Sequence, residues 1–226
     1  ADLWLPFHTH LAQNHTVYFP DHPGFGRSSL PDWFDHMDDF ILHYAMLIDE
    51  LKLAPVDLVG YSLGGWIAAE FASFFPERVR SLVLIDAAGL RVSGAPIVDV
   101  FALSPEQLFA TCFTDITQGL ALIGDMSDPL GRFLKDYQER TTLALLAWNP
   151  GYSPKLVRRL RRVNVPTLII WGEEDRLIPR AHGEAYRDAI ANARLEIIAS
   201  CGHVPIVERA EQTAQLIREF LIQRGN

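Results

Sequence analysis

The sequence predicts an α/β protein, a mostly parallel, doubly wound sheet carrying an inserted helical unit. Short runs of β-branched and aromatic residues alternate with helical patterns along most of the chain. Those runs are nearly continuous in apolar residues, as strands covered on both faces must be. One long central stretch shows helical pieces and no clear strand, and it is too long for a loop.

The elements follow in order. Strand patterns occur at His15–Pro20 ("HTVYFP"), Val56–Tyr61 ("VDLVGY"), Ser81–Asp86 ("SLVLID"), Pro166–Gly172 ("PTLIIWG") and Arg194–Ala199 ("RLEIIA"). Met37, Phe40, Ile41, Tyr44, Leu47, Ile48 and Leu51 recur at spacings of three and four, a helix between the first two strands. Trp66, Ile67, Ala69, Phe71 and Phe74 mark a buried helix stopped by Pro76, and Glu208–Gln223 closes the chain as another. The stretch 89–163 becomes a small helical subdomain between two parts of one core, 1–88 and 164–226. The basic run Lys155, Arg158, Arg159, Arg161 and Arg162 reads as the solvated face of its last helix.

Composition excludes several classes of function. A length of 226 residues suits one sizeable domain, and 49% hydrophobic with 21% charged residues gives no sign of disorder. The net charge of −8 argues against nucleic acid as a partner, because phosphate binding needs a clustered positive surface. Apolar runs are broken by charge well short of a membrane span. Cys112 and Cys201 are too few for a disulfide framework, and two free thiols suggest the cytoplasm. No signal-peptide pattern is visible, although the chain opens on Ala1-Asp2.

The chemistry centres on Gly60-Tyr61-Ser62-Leu63-Gly64. A strand ends at Tyr61 and a helix begins near Leu63, so Ser62 sits in a tight turn whose crowding calls for Gly60 and Gly64. Serine needs a base, and the base an orienting acid. The turn after "PTLIIWG" carries Glu173, Glu174 and Asp175, and the turn after the last strand carries His203 in "SCGHVP". Three candidate groups thus follow the carboxyl ends of three parallel strands, the edge where open α/β sheets place their sites. Asp86, also at a strand end, is an alternative acid, and Cys201 a weak alternative nucleophile. His8, His10, His15, His22, His36, His43 and His182 lack such placement and read as surface or capping residues. "DHPGFGRS" lacks the third glycine of a dinucleotide fingerprint.

With "PDHPGFGRS", "GYSLGG", "PTLIIWGEEDRLIP" and "CGHVPIVERAEQ" in that order, the chain resembles the α/β-hydrolase fold family essentially end to end. The resemblance implies a Ser62–Asp175–His203 triad, the Leu63 backbone N–H as an oxyanion donor, a helical cap over the site, and neither metal nor cofactor. A serine at the elbow implies acyl chemistry. The expected function is hydrolysis of a carboxylic ester or an activated C–C bond in a small, largely apolar substrate. A hydrolase-fold receptor or an inactive binding protein is the alternative. Relatives draw the second oxyanion donor from a His-Gly loop after a strand that would precede Ala1. The expectation is therefore that N-terminal strands and that donor lie outside this sequence, leaving a gap in the sheet beside Tyr61. Activity is expected to fall in acid as His203 takes up a proton, and activity undiminished at about pH 4.5 would count against His203 as the base.

Overall fold

A computed structural model of the protein describes residues 4–120, 128–148 and 150–223. The chain runs through helices α1 (Pro6–Ala12) and α2 (Met37–Glu50), strand β1 (Val56–Tyr61), helix α3 (Leu63–Phe74) and strand β2 (Val79–Ile85). Helices α4 (Pro105–Cys112), α5 (Ile116–Leu120), α6 (Pro129–Ala147) and α7 (Leu156–Leu160) follow. Strand β3 (Thr167–Gly172), helix α8 (Ala181–Ala189), strand β4 (Ala193–Ile198) and helices α9 (Pro205–Glu208) and α10 (Ala210–Gln223) complete it. The strands form one parallel sheet in the order β1-β2-β3-β4. Parallel neighbours need crossovers, which α3, the insertion between β2 and β3, and α8 supply.

Side-chain alternation explains why the sheet is covered twice. Leu82, Leu84, Ile169 and Trp171 face a cluster that includes Ile41 and Ile48 of α2, Phe71 of α3, Leu156 and Leu160 of α7 and Tyr186 of α8. Val83, Ile85, Leu168 and Ile170 face the other way, onto Phe7 and Leu11 of α1 and Ala214, Ile217 and Phe220 of α10. Every residue of β3 is buried. Each such aliphatic side chain contributes about 1.5–3 kcal/mol of burial.

Four of the five expected strands form within two residues of their predicted bounds. His15–Pro20 is irregular instead. A strand requires a neighbour to bond, and among the described residues none lies alongside it. Tyr18 and Phe19 are accordingly exposed, and β1 forms an edge of the sheet. The closing helix begins earlier than its periodicity suggests, at Pro205, and breaks at Arg209 before resuming. Nor is the basic run of α7 wholly solvated. Arg159 reaches Glu70, buried in α3, at 2.8 Å and lies over the Phe74 ring. No helix among the described residues is long and apolar enough to cross a membrane.

Candidate active site

Strand pairing places the site. Tyr61, Ile85 and Ile170 are register partners across β1, β2 and β3, so these strands end side by side. Residues 62, 86 and 175 follow those ends, and residue 203 follows β4. Ser62 has φ +51° and ψ −116°, a backbone state that L residues rarely adopt. It is held there from both sides. The Ser62 N–H donates to the Ile85 carbonyl at 2.9 Å, and the Ser62 carbonyl accepts from Gly65, Trp66 and Ala88. A Cβ on Gly60 would sit 2.3 Å from the Gly64 carbonyl oxygen, and one on Gly65 would sit 2.5 Å from Ala87 Cβ. Gly60 is therefore dictated by crowding as the sequence suggests. At Gly64 the nearest atom would be His22 Nε2 at 3.6 Å, an ordinary contact, so the crowded partner is Gly65 instead.

The structure brings Ser62, His203 and Asp175 into one hydrogen-bonded chain. His203 Nε2 lies 2.9 Å from Ser62 Oγ and His203 Nδ1 lies 2.8 Å from Asp175 Oδ2. Asp175 Oδ1 accepts from the N–H groups of Leu177 and Ile178, both at 2.8 Å. Those two bonds fix the carboxylate's orientation. Glu173 and Glu174 point to solvent. Leu63 opens α3, so its N–H belongs to the first turn, where intrahelical acceptors are lacking.

Asp86 is buried beside this chain. Its Oδ1 accepts from the Gly172 N–H at 2.9 Å, while its Oδ2 has no hydrogen-bond partner among the described residues. Burial above all, and the negative charge of Asp175 next, push the Asp86 carboxyl well above the usual carboxylate range. Ligand-type atoms of Asp86, Asp175 and His203 lie within 4.8 Å of one another, the only such metal-capable cluster among the described residues. Both nitrogens of His203 are already engaged by Asp175 and Ser62, so the donor set is that of a proton path.

Sequence reasoning missed Glu208. Its buried carboxylate accepts from the Gly202 N–H and the Thr114 N–H, each at 2.8 Å, and from the Thr114 hydroxyl. The His203 N–H donates to the Cys112 carbonyl at 2.8 Å. The histidine turn is thus fastened to the segment that follows α4. A carboxylate closing the apolar run of "CGHVPIVE", five residues after the histidine and at the end of α9, is the available signal. Cys201 is buried near Glu208, and burial first, then that carboxylate, raise its thiol well above the usual range. Such a thiol is a poor nucleophile.

The surface-or-capping reading holds for His8, though as a buried cap, and fails for His22 and His182. His8 is buried and caps α1, its Nδ1 accepting from the Leu5 N–H. The His22 ring packs against Phe25, Phe40 and Tyr44, and burial lowers its pKa to about 4. His182 is buried in α8.

A cavity of about 900 Å³ opens beside Ser62 and Leu63. Its walls are mainly apolar and come from β-strand ends and from the insertion, among them Leu90, Ile97, Val98, Trp148 and Leu177.

The profile of the alpha/beta hydrolase family matches residues 1–216, and the chain belongs to that family of enzymes. It is 30% identical to the human (Homo sapiens) monoacylglycerol lipase ABHD6, over all of this chain and 73% of that one. It is equally, 30%, identical to the 2-hydroxymuconate semialdehyde hydrolase of Pseudomonas sp. (strain CF600), over 97% of this chain and 81% of that protein. Among solved structures, the meta-cleavage product hydrolase CumD from Pseudomonas fluorescens IP01 superposes with a TM-score of 0.75 at 23% identity, covering 95% of this chain and 82% of that one. At that identity the likeness is one of fold.

Proposed function

We propose that the protein is a serine hydrolase that cleaves a carboxylic ester or an activated C–C bond of a small, largely apolar substrate through an acyl-enzyme. The carrying observation is the continuous path from Ser62 Oγ through His203 to Asp175, with 2.9 Å and 2.8 Å links. His203 takes the hydroxyl proton as Ser62 attacks the carbonyl, and a tetrahedral oxyanion forms. The Leu63 N–H and the start of α3 stabilise that charge. His203 then protonates the leaving group and later activates the water that releases the acid. Asp175 holds the imidazole tautomer with Nδ1 protonated and offsets its transient positive charge. No metal or cofactor has a step in this path.

Residues 89–163 act as the cap in this reading, since the cavity beside Ser62 takes part of its wall from them. Its apolar lining suits an apolar acyl or aromatic group. A small-molecule substrate fits both curated relatives, one named a lipase and the other a hydrolase of a semialdehyde. Both cysteines are unpaired, which accords with a cytoplasmic location.

A fluorophosphonate probe tests the nucleophile. Rapid labelling of the full-length protein that disappears in Ser62→Ala is expected, and absence of labelling would remove the hydrolase reading. p-Nitrophenyl esters of graded chain length, assayed beside a vinylogous ring-cleavage dienoate, separate ester from C–C bond cleavage.

A further inference from the structure

We propose that the cavity beside Ser62 contains a hydroxyl-recognising subsite made by the indole N–H of Trp66 and the imidazole Nε2 of His182. The inference rests on the hydrolase reading and narrows its substrate to one bearing a hydroxyl group away from the scissile carbonyl.

Both residues line that cavity together with Ser62 and Leu63. Trp66 is 4% exposed and His182 1% exposed. Trp66 Nε1 and His182 Nε2 are buried atoms without a hydrogen-bond partner among the described residues. The other two such side-chain atoms there, on Asp86 and Arg194, belong to residues that do not line this cavity. Buried polar atoms are nearly always paired, so two orphans on one apolar-walled cavity call for a common explanation.

Their chemistry is complementary. His182 Nδ1 lies 3.0 Å from the Pro179 carbonyl oxygen, which can only accept, so Nδ1 carries the ring hydrogen. Burial also lowers the pKa of this imidazole, keeping it neutral. Nε2 therefore presents a lone pair and accepts. The indole N–H of Trp66 can only donate. A carboxylate would satisfy Trp66 alone, and an ammonium His182 alone. A hydroxyl both donates and accepts, so one such group can serve the pair.

Both groups are held before any ligand arrives. Trp66 stands in the first turns of α3, its ring so close to Gly89 that a Cβ there would lie 2.5 Å from Cγ. His182 is tethered by Pro179 within α8. A few fixed polar groups in an otherwise apolar pocket set orientation and specificity.

The hydroxyl can belong to the alcohol part or to the acyl part, and matched ester pairs separate the two. Hydroxyethyl hexanoate is compared with propyl hexanoate, and p-nitrophenyl ω-hydroxyhexanoate with p-nitrophenyl heptanoate. In one pair the hydroxylated ester is expected to have a kcat/KM at least about tenfold higher, and that ratio is expected to collapse toward one in both Trp66→Phe and His182→Asn. Asparagine retains an N–H near the Nδ1 position and deletes the Nε2 acceptor. Ratios near one in both pairs for the native protein, or a preference unmoved by both substitutions, would overturn the subsite. Binding to Ser62→Ala is followed in parallel by NMR of the indole N–H signal that Trp66→Phe removes. A shift with the hydroxylated ester that its deoxy partner does not cause supports the subsite, and equal shifts or none overturn it. That readout holds even if Ser62 takes no probe and no ester turns over, so loss of the hydrolase reading is told apart from loss of the subsite.

Discussion

Asp86 and Asp175 place two carboxyl groups in one dry site at the ends of β2 and β3, and only Asp175 has both oxygens hydrogen-bonded. Like charges so close cannot both persist without water, so the proton resides on Asp86. Asp86→Asn preserves the acceptor for the Gly172 N–H and is expected to leave kcat/KM within about threefold. Asp86→Ala strands that N–H and should cost about 1–3 kcal/mol. Folded Asp86 keeps a proton that the unfolded chain releases near pH 4, so its contribution to stability declines as pH rises above about 4. Urea unfolding of Asp86→Asn across neutral pH should lack that decline.

His22 gives a dependence of opposite sense. Its pKa falls from 6.5 to about 4 through burial, then the charge of His43, with Asp21 opposing. Between those values the unfolded chain binds the extra proton, so stability falls as pH drops from about 6.5 to about 4, by roughly 2–4 kcal/mol from this group. His22→Gln should show a shallower loss of urea stability over that range. An unchanged slope would assign the loss elsewhere.

Glu208 is expected to matter to turnover although it touches neither Ser62 nor the cavity. Glu208→Ala leaves the Gly202 and Thr114 N–H groups unpaired, at about 1–3 kcal/mol each. The histidine turn loses its fastening with them. A fall in kcat larger than the change in KM, in protein that remains folded by circular dichroism, is the expected result.

The Arg159–Glu70 pair is asymmetric, since Glu70 is 1% exposed by side chain and Arg159 27%. Arg159→Met abandons a buried carboxylate and should cost about 2–4 kcal/mol, somewhat below a fully buried pair because Arg159 is partly wet. Adding Glu70→Gln is expected to recover part of that loss. Thermal or urea midpoints of the two variants decide it.

What the sequence made legible is what local pattern encodes. Val56–Tyr61, Ser81–Asp86 and Pro166–Gly172 are apolar runs with turn residues behind them, so both strands and strand-end groups could be located before any contact was known. Ser62, Asp175 and His203 stand out as candidates in the sequence because each follows such an end, and the structure joins them by hydrogen bonds. His15–Pro20 has the same composition and forms no strand, because pairing depends on a neighbour and not on the segment. The protonated state of Asp86, the bridging role of Glu208 and the burial of His22 escaped for a related reason. A buried carboxyl and a surface one look alike in sequence, and only tertiary packing distinguishes a proton-bearing Asp86 or a bridging Glu208 from solvated acids.

The direct bond from His203 to Cys112, and the Glu208 carboxylate that bridges Gly202 to Thr114, have a bearing on protein engineering. That tripeptide lies inside the stretch one would exchange to graft a relative's specificity onto this scaffold. A chimera whose junctions discard it would take away the anchorage of His203, the proposed general base, along with the old lining. Splice points placed after Thr114 respect that dependency.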